Sequence, residues 1–373
     1  MRSNSIISLG ESLSRHSGAP RRPDVAPGAA GGSTPGTLAG PSSGEGEAGR
    51  AGLPIRHMLV PLDGSPLAEC ALPWAVAVAQ ALAARVTLLR VLEKPAVSIA
   101  TSHHHDAVDW QMRRAEAQSH LARIDRDLKA RALTSAAELL EGRPAEQIIN
   151  FARVQQVDLV VLSSHGEGGL TAWTLSSTAL MVVARIHSSV LVVPARAAEG
   201  RRIGDVRVRR LLVPLDCSPR AECVLPLATA LARAHGAEMI LAHVVPEPEM
   251  PRRLPPSAED LAVVSRLTER NRLEAERYLG DVRRLVDQQI RVGTRIVVAS
   301  RRARAIRAMA DEADVDLILV SAHGQTGDPR ERYGSVAARL LEGNRRPILV
   351  LQDLGPGREP TPAEEAARGR PGH

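Results

Sequence analysis

His57-Met58-Leu59-Val60-Pro61-Leu62-Asp63-Gly64-Ser65-Pro66 is answered 153 residues later by Arg210-Leu211-Leu212-Val213-Pro214-Leu215-Asp216-Cys217-Ser218-Pro219. The first copy reads as a buried strand, a tight turn and a helix start, with Ser65 as N-cap and Pro66 at the first helical position. The repeat continues at the same offset. Ala68-Glu69-Cys70-Ala71-Leu72-Pro73 returns as Ala221-Glu222-Cys223-Val224-Leu225-Pro226, and the next strand keeps step, with Val91 matched by Val244. A unit recurring over this length marks two copies of one domain.

Further along the offset becomes 158: Asp158-Leu159-Val160 matches Asp316-Leu317-Ile318, and Val190-Leu191-Val192 matches Ile348-Leu349-Val350. The helical face Ala117, Leu121, Ile124, Leu128 already meets its counterpart Ala275, Leu279, Val282, Val286 at 158. The five extra residues therefore enter between the second strand and that helix, in Pro246 to Pro256, opposite Pro95 to Asp109 of the first half. Loops take insertions and cores do not.

Each half reads as strands alternating with helices, the later strands near Ala136 to Glu141, Val157 to Leu162 and Val190 to Val193, with copies at Thr294 to Ala299, Val315 to Val320 and Ile348 to Leu351. That alternation implies right-handed crossovers and a five-stranded parallel sheet covered on both faces. Pro73, inside an Ala-rich helix from Leu67 to about Ala84, should bend it. The domains span 53–196 and 209–352, joined by a linker at 197–208. Residues 1–52 and 353–373, rich in Gly, Pro, Ala and Arg, are expected to be flexible tails. An Arg-bearing organellar transit peptide is the alternative for the first of these.

Composition agrees. The chain has 373 residues and is 44% apolar, enough for two cores, but only 2% aromatic, so those cores are aliphatic. Its charge of +6 raises nucleic acid as a partner, but base stacking needs exposed aromatics that the chain almost lacks, so solvated helix faces are the better account. No run of about 18 apolar residues suggests a membrane span. Three cysteines without CxxC spacing fit a reducing, cytoplasmic setting.

The chemistry concentrates after the fourth strand of each half. Leu317 to Val320 breaks into Ser321-Ala322-His323-Gly324, and after nine residues Gly334-Ser335 opens a helical pattern. Gly lets backbone approach an anion, and a helix start supplies N–H donors, so this stretch suits a phosphate. There is no P-loop lysine.

Together the Val-Pro-Leu-Asp turns, Ala71-Leu72-Pro73-Trp74, Gly142-Arg143-Pro144-Ala145-Glu146, Ser164-His165-Gly166 and the closing Val190 to Pro194 resemble the universal stress protein family, in a tandem arrangement from about Leu53 to Gln352. The resemblance implies two Rossmann-like α/β domains, each a parallel sheet of order 3-2-1-4-5. It also implies a site for ATP or another adenine nucleotide, with or without Mg²⁺, at the crevice between first and fourth strands. Mapped onto this chain, the family's glycine pattern falls on Ser321, Gly324, Gly334 and Ser335, one glycine short. In the first half it falls on Ser163, Gly166, Ser176 and Ser177, which is poorer. Asp63 and Asp216 would face ribose or the adenine amine, and a helix-capping carboxylate is the plain alternative. His323 joins the second site by position, and Val91 and Val244 would contact the base. The resemblance also implies pairing of the terminal strands, here within one chain as a pseudo-dimer, with a homodimer left open.

Arg330 and Arg332 in the nine-residue interval could meet phosphate, although neighbouring Asp328 and Glu331 favour an exposed charged loop. His165 and His323 are expected as turn histidines with backbone partners rather than as general bases. His103-His104-His105 suggests adventitious metal affinity, not a built site. Cys70 and Cys223 are expected as small buried packing residues. Without a phosphate-clamping Lys or a clear Mg²⁺-binding carboxylate pair, the expected role is regulatory binding, with slow ATP hydrolysis or a ligand-free interaction scaffold as alternatives. No catalytic residue or metal ligand is assigned.

Overall fold

A computed structural model describes residues 55–93, 103–165, 175–195, 200–248, 257–325, 328, 331–342 and 345–353, with the side chains of 103–107 excepted. The expected N-terminal tail, the expected C-terminal tail apart from Asp353, Gly166, Arg330 and most of the inserted segment lie outside the described residues, as do the side chains of His103 to His105.

The first half runs β1 (His57–Pro61), α1 (Pro66–Glu69), α2 (Leu72–Leu82), β2 (Arg85–Leu92), α3 (His103–Lys129), β3 (Ser135–Glu141), α4 (Pro144–Val154), β4 (Leu159–Ser163), α5 (Ser177–Arg185) and β5 (Ser189–Val193). The second runs β6 (Arg210–Pro214), α6 (Pro219–Glu222), α7 (Leu225–His235), β7 (Glu238–Val245), α8 (Ala258–Leu285), β8 (Val292–Val298), α9 (Arg302–Glu312), β9 (Leu317–Ser321), α10 (Ser335–Leu341) and β10 (Ile348–Leu351). Within each half the strands are parallel in the order 3-2-1-4-5. The halves do not form separate sheets. β5 and β10 pair antiparallel, Leu191 opposite Leu349, to make one ten-stranded sheet in the order β3-β2-β1-β4-β5-β10-β9-β6-β7-β8.

Pro73 does not bend one long helix. The chain breaks at Cys70 and Ala71 and restarts as α2, with the proline in its first turn; α7 copies this with Pro226. A proline there removes an N–H that would have had no helical partner, whereas mid-helix it would cost a hydrogen bond and a clash. Ser65 and Ser218 cap the short preceding helices, accepting from Ala68 N at 3.1 Å and Ala221 N at 3.2 Å.

Strand alternation divides the interior into two layers. Met58, Val60, Leu317 and Leu319 face a core closed by α2, α3, α7 and α8, while Leu59, Ile318 and Val320 face one closed by α4, α5, α9 and α10. The two predicted helical faces, Ala117 to Leu128 and Ala275 to Val286, are buried. A carboxylate clamp ties β1 to β4: Asp158 Oδ2 accepts from Arg56 N at 2.8 Å and His57 N at 2.9 Å. Asp316 repeats it on Arg209 N at 2.7 Å and Arg210 N at 3.0 Å. Cys70 and Cys223 are half-buried rather than fully buried, each packed at the edge of the first core.

Leu191 and Leu349 are both fully buried at the seam. Leu349→Ala should therefore cost about 2–5 kcal/mol in urea unfolding; a loss below about 1 kcal/mol would mean that the seam is not a tightly packed part of the core.

Candidate functional site

The crevice between β6 and β9 opens into a cavity of about 650 Å³. Its wall includes every residue predicted for the second half: Asp216, Val244, Ser321, His323, Gly324, Gly334 and Ser335. Ala242, Val244, Ile306 and Val336 give it an apolar side, and Asn271, Glu274 and Tyr278 of α8 face it from above the sheet.

The loop is built by closing the nine-residue interval on itself. Ala322 N–H donates to Leu351 O at 2.8 Å, and Gly334 N–H donates to Ala322 O at 2.7 Å, bringing the start of α10 beside Gly324. The same closure recurs in the first half, where Ser176 N–H donates to Ser164 O at 2.8 Å. The spacing therefore serves loop geometry in both copies, whatever binds there.

Asp216 turns out to be a clasp. Its Oδ1 accepts from the Ser218 N–H at 3.2 Å and hydroxyl at 2.6 Å, and its Oδ2 accepts from Gln325 N at 2.6 Å. Three of about four acceptor positions on the carboxylate are thus used by the protein, leaving room for one further donor from the cavity. A Cβ on Gly324 would come within 1.9 Å of Asp216 Oδ2, so glycine is required there by the clasp itself. A Cβ on Gly334, by contrast, would find nothing nearer than Ala322 O at 3.5 Å.

His323 is 2% exposed, with Nδ1 at 2.6 Å from Asp353 Oδ1 and Nε2 at 2.7 Å from Glu331 O. Asp353 Oδ2 in turn accepts from Arg220 Nε at 2.7 Å. Both ring nitrogens are thereby occupied, so His323 braces the loop and has no nitrogen left for proton transfer. The Cys223 thiol donates to Ser321 Oγ at 3.5 Å, which ties α6 to the end of β9.

Arg332 turns away from the cavity and donates to Ile186 O of the first half at 3.1 Å, so a phosphate partner is not the role its guanidinium plays. Among the described residues, Arg302 is the only guanidinium in the cavity wall. Cys217 stands where the first half has Gly64 and adopts the same left-handed backbone, φ +65° against +89°. Loss of water, then Asp216 and Glu222, push its thiol up to about 11, so it stays protonated and poorly nucleophilic. His243 lies behind it, with Nδ1 2.8 Å from Leu215 O, and burial lowers its pKa.

The first half departs at the same points. Ser176 caps α5 with its own side chain, Oγ accepting from Ala179 N at 3.2 Å, whereas Gly334 caps α10 with none. The Arg90 guanidinium lies against Gly64, 2.8 Å from where a Cβ would stand, at the position His243 takes in the second half. Asp63 Oδ1 accepts from Ser65 N at 2.8 Å, Val91 is half-buried on β2, and Ser163 Oγ accepts from His165 N at 3.4 Å. Ser177 is the first residue of α5.

Against known families, residues 54–194 and 207–352 each match the universal stress protein family. The chain belongs to the universal stress protein family. A universal stress protein of Mycobacterium tuberculosis is 25% identical over 318 residues, covering 79% of this chain and 94% of that one. Among solved structures, a universal stress protein from Archaeoglobus fulgidus superposes with a TM-score of 0.52 at 17% identity, over 79% of this chain and 96% of its own. A functionally unknown protein from Pseudomonas aeruginosa gives 0.55 at 16%, over 82% and 94%. Both are likenesses of fold. Among the described residues no helix is long and apolar enough to cross a membrane, and no cluster of three or more His, Cys, Asp or Glu side chains could hold a metal.

Sequence reasoning did not find the α8 contribution or the Asp353 brace. The spacing of Asn271, Glu274 and Tyr278 carried the first signal, since it puts a polar stripe beside the buried face of Ala275 and Leu279.

Two outcomes follow from the clasp. Gly324→Ala should destabilise by about 1–3 kcal/mol through its collision with Asp216, while Gly334→Ala should change stability by less than about 1 kcal/mol; equal effects in chemical denaturation would refute the distinction. His57, His235 and His243 all have pKa values lowered, chiefly by burial. Each is held neutral in the fold while the unfolded chain takes up a proton below about pH 6.5, so their contribution is full above that pH and is lost as pH falls through the lowered values. Melting temperature should fall between pH 7 and pH 5, and a flat profile would contradict the assignment.

Proposed function

We propose that the second domain binds an adenine nucleotide, ATP or a relative of it, in the 650 Å³ cavity between β6 and β9, and that the nucleotide acts as a regulatory ligand. One observation carries the reading: the Asp216 turn and the Gly324 and Gly334-Ser335 loop, about a hundred residues apart in the chain, open onto one cavity. Its size and its mix of an apolar wall with a few polar groups suit a small organic ligand. The base would lie toward Val244 and the apolar side, the ribose near Asp216, and the phosphate toward Gly334 and Ser335, with Ser321, Gly324 and His323 forming the floor. Regulation is favoured over rapid phosphoryl transfer, because that chemistry uses a cationic clamp on the phosphates. Among the described residues the cavity wall holds one guanidinium, Arg302, and no lysine, while Arg332 is engaged with Ile186 outside it.

The first domain is better read as a structural twin. Ser176 already satisfies the Ala179 N–H at its helix start, and Arg90 covers the Gly64 turn. Asp63, Val91, Ser163, Gly166, Ser176 and Ser177 are therefore assigned a weaker site or none.

The expected result is one adenine nucleotide per chain on denaturing the purified protein, identified by mass, or a calorimetric titration with ATP that saturates at one per chain. Gly334→Val, at a position with space for a side chain, should abolish that binding while leaving the protein folded by circular dichroism. No released nucleotide and no heat with ATP would refute the proposal. Two per chain would restore the first domain as a site.

A further inference from the structure

His243, near the end of β7, is half-buried and forms part of the cavity wall. Its Nδ1 lies 2.8 Å from Leu215 O and 3.6 Å from Cys217 Sγ, the residues on either side of Asp216. A carbonyl oxygen can only accept, so Nδ1 carries the ring proton and Nε2 keeps a bare lone pair. Burial lowers the pKa of this ring, and the nearby charges of Asp216 and Arg302 act on it in opposite directions, so at neutral pH Nε2 stays unprotonated. Among the described residues Nε2 has no hydrogen-bond partner, and it is not one of the unpaired side-chain atoms closed off from solvent. In a half-buried residue of the cavity wall, the cavity is the side from which a donor can reach it.

The turn beside it presents a second acceptor. Ser218 and Gln325 fill three of about four acceptor positions on Asp216. The one left is on Oδ2. Two unfilled acceptors thus stand together where β6 and β7 end, and a phosphate, which only accepts, has nothing to give them. A group with two adjacent O–H donors matches them, and a ribose carries one in its vicinal hydroxyls. The first half differs at this point: Arg90 takes the place of His243, and a guanidinium only donates.

We propose that His243 Nε2 accepts a hydrogen bond from one ribose hydroxyl of the bound nucleotide while Asp216 Oδ2 accepts from the other, so that the second domain selects ribonucleotides. The inference rests on the nucleotide reading of this cavity. The test is calorimetric titration of the full chain with ATP, 2′-deoxy-ATP and 3′-deoxy-ATP, repeated on His243→Asn and His243→Arg after circular dichroism has shown them folded. The wild type should bind ATP about tenfold more tightly than either deoxy analogue. His243→Asn keeps an amide that can donate to Leu215 O but ends short of the Nε2 position. It should bind ATP about tenfold more weakly than the wild type, and should cease to distinguish ATP from one of the two analogues while still distinguishing it from the other. His243→Arg, the first-half residue, should do the same. A wild type that binds ATP and both analogues equally, an ATP affinity unchanged in the variants, or a loss of the same size for all three ligands would each overturn the proposal while leaving nucleotide binding intact. A wild-type protein that takes up none of the three would instead remove the nucleotide reading, and this contact with it.

Discussion

The pairing of β5 with β10 is the constraint on which the rest depends. Both strands are buried along their length, with apolar side chains at every position but Ser189, and both close a five-stranded parallel sheet. Such a strand left at an edge would offer unpaired backbone groups and apolar side chains to any other chain. Within one molecule the two edges cover each other, and the antiparallel direction follows from relating two copies of one domain by an approximate two-fold axis. α2 and α7 then meet across the same axis. Both core layers run through this seam from one half into the other.

The seam also reaches the cavity. Gln352, just past β10, donates its N–H to Ser189 Oγ of the first half at 3.1 Å and its side-chain amide to Arg332 O at 3.3 Å, while Arg332 donates to Ile186 O. The next residue, Asp353, holds His323 and Arg220. The loop that borders the cavity is therefore braced from two directions, by the first domain through Arg332 and by the end of the last strand through Asp353. Whatever it binds, the first domain serves the cavity by fixing the frame on which its loop is tied.

The fold was legible because it rests on patterns that sequence displays directly: apolar runs of strand length, helical faces, and above all a duplicated register that places each strand against its copy. Boundaries shifted by one or two residues, and the Pro73 segment split because a proline is cheap in a first turn and costly in the middle of a helix. The cavity wall was legible as a list of residues but less so as a set of roles. Asp216 was expected either to face the ligand or to cap a helix; it lies in the cavity wall and also spends most of its acceptor capacity joining two loops that lie about a hundred residues apart. His323 was expected to find a backbone partner and does, in Glu331 O, but its carboxylate partner Asp353 lies at the start of what the sequence presents as a tail. Arg332 read as a phosphate partner or an exposed charge, and it reaches the other domain. Contacts of this kind depend on which loops the closed sheet brings together, and no local pattern encodes them.

Comparison of the two copies separates what the fold needs from what a ligand would need. Retained in both are the Asp158 and Asp316 clamps, the serine caps of α1 and α6, the backbone closure of the nine-residue interval, and the tie from Glu69 to His120 at 2.7 Å that Glu222 and Tyr278 repeat at 2.9 Å. Each of these fixes an element in place. Changed between the copies are Gly64 and Cys217, Arg90 and His243, Leu175 and Tyr333, and Ser176 and Gly334, all at the mouth or wall of the crevice. Those exchanges leave the scaffold alone and alter only what the crevice presents. In the first half a serine and an arginine fill donor and space from within the protein; in the second a glycine and a tyrosine leave a helix start uncapped by any side chain and a hydroxyl unpaired. Under the nucleotide reading proposed above, these exchanges are where the two copies differ in what they offer a ligand, while the retained contacts explain why the fold is the same in both.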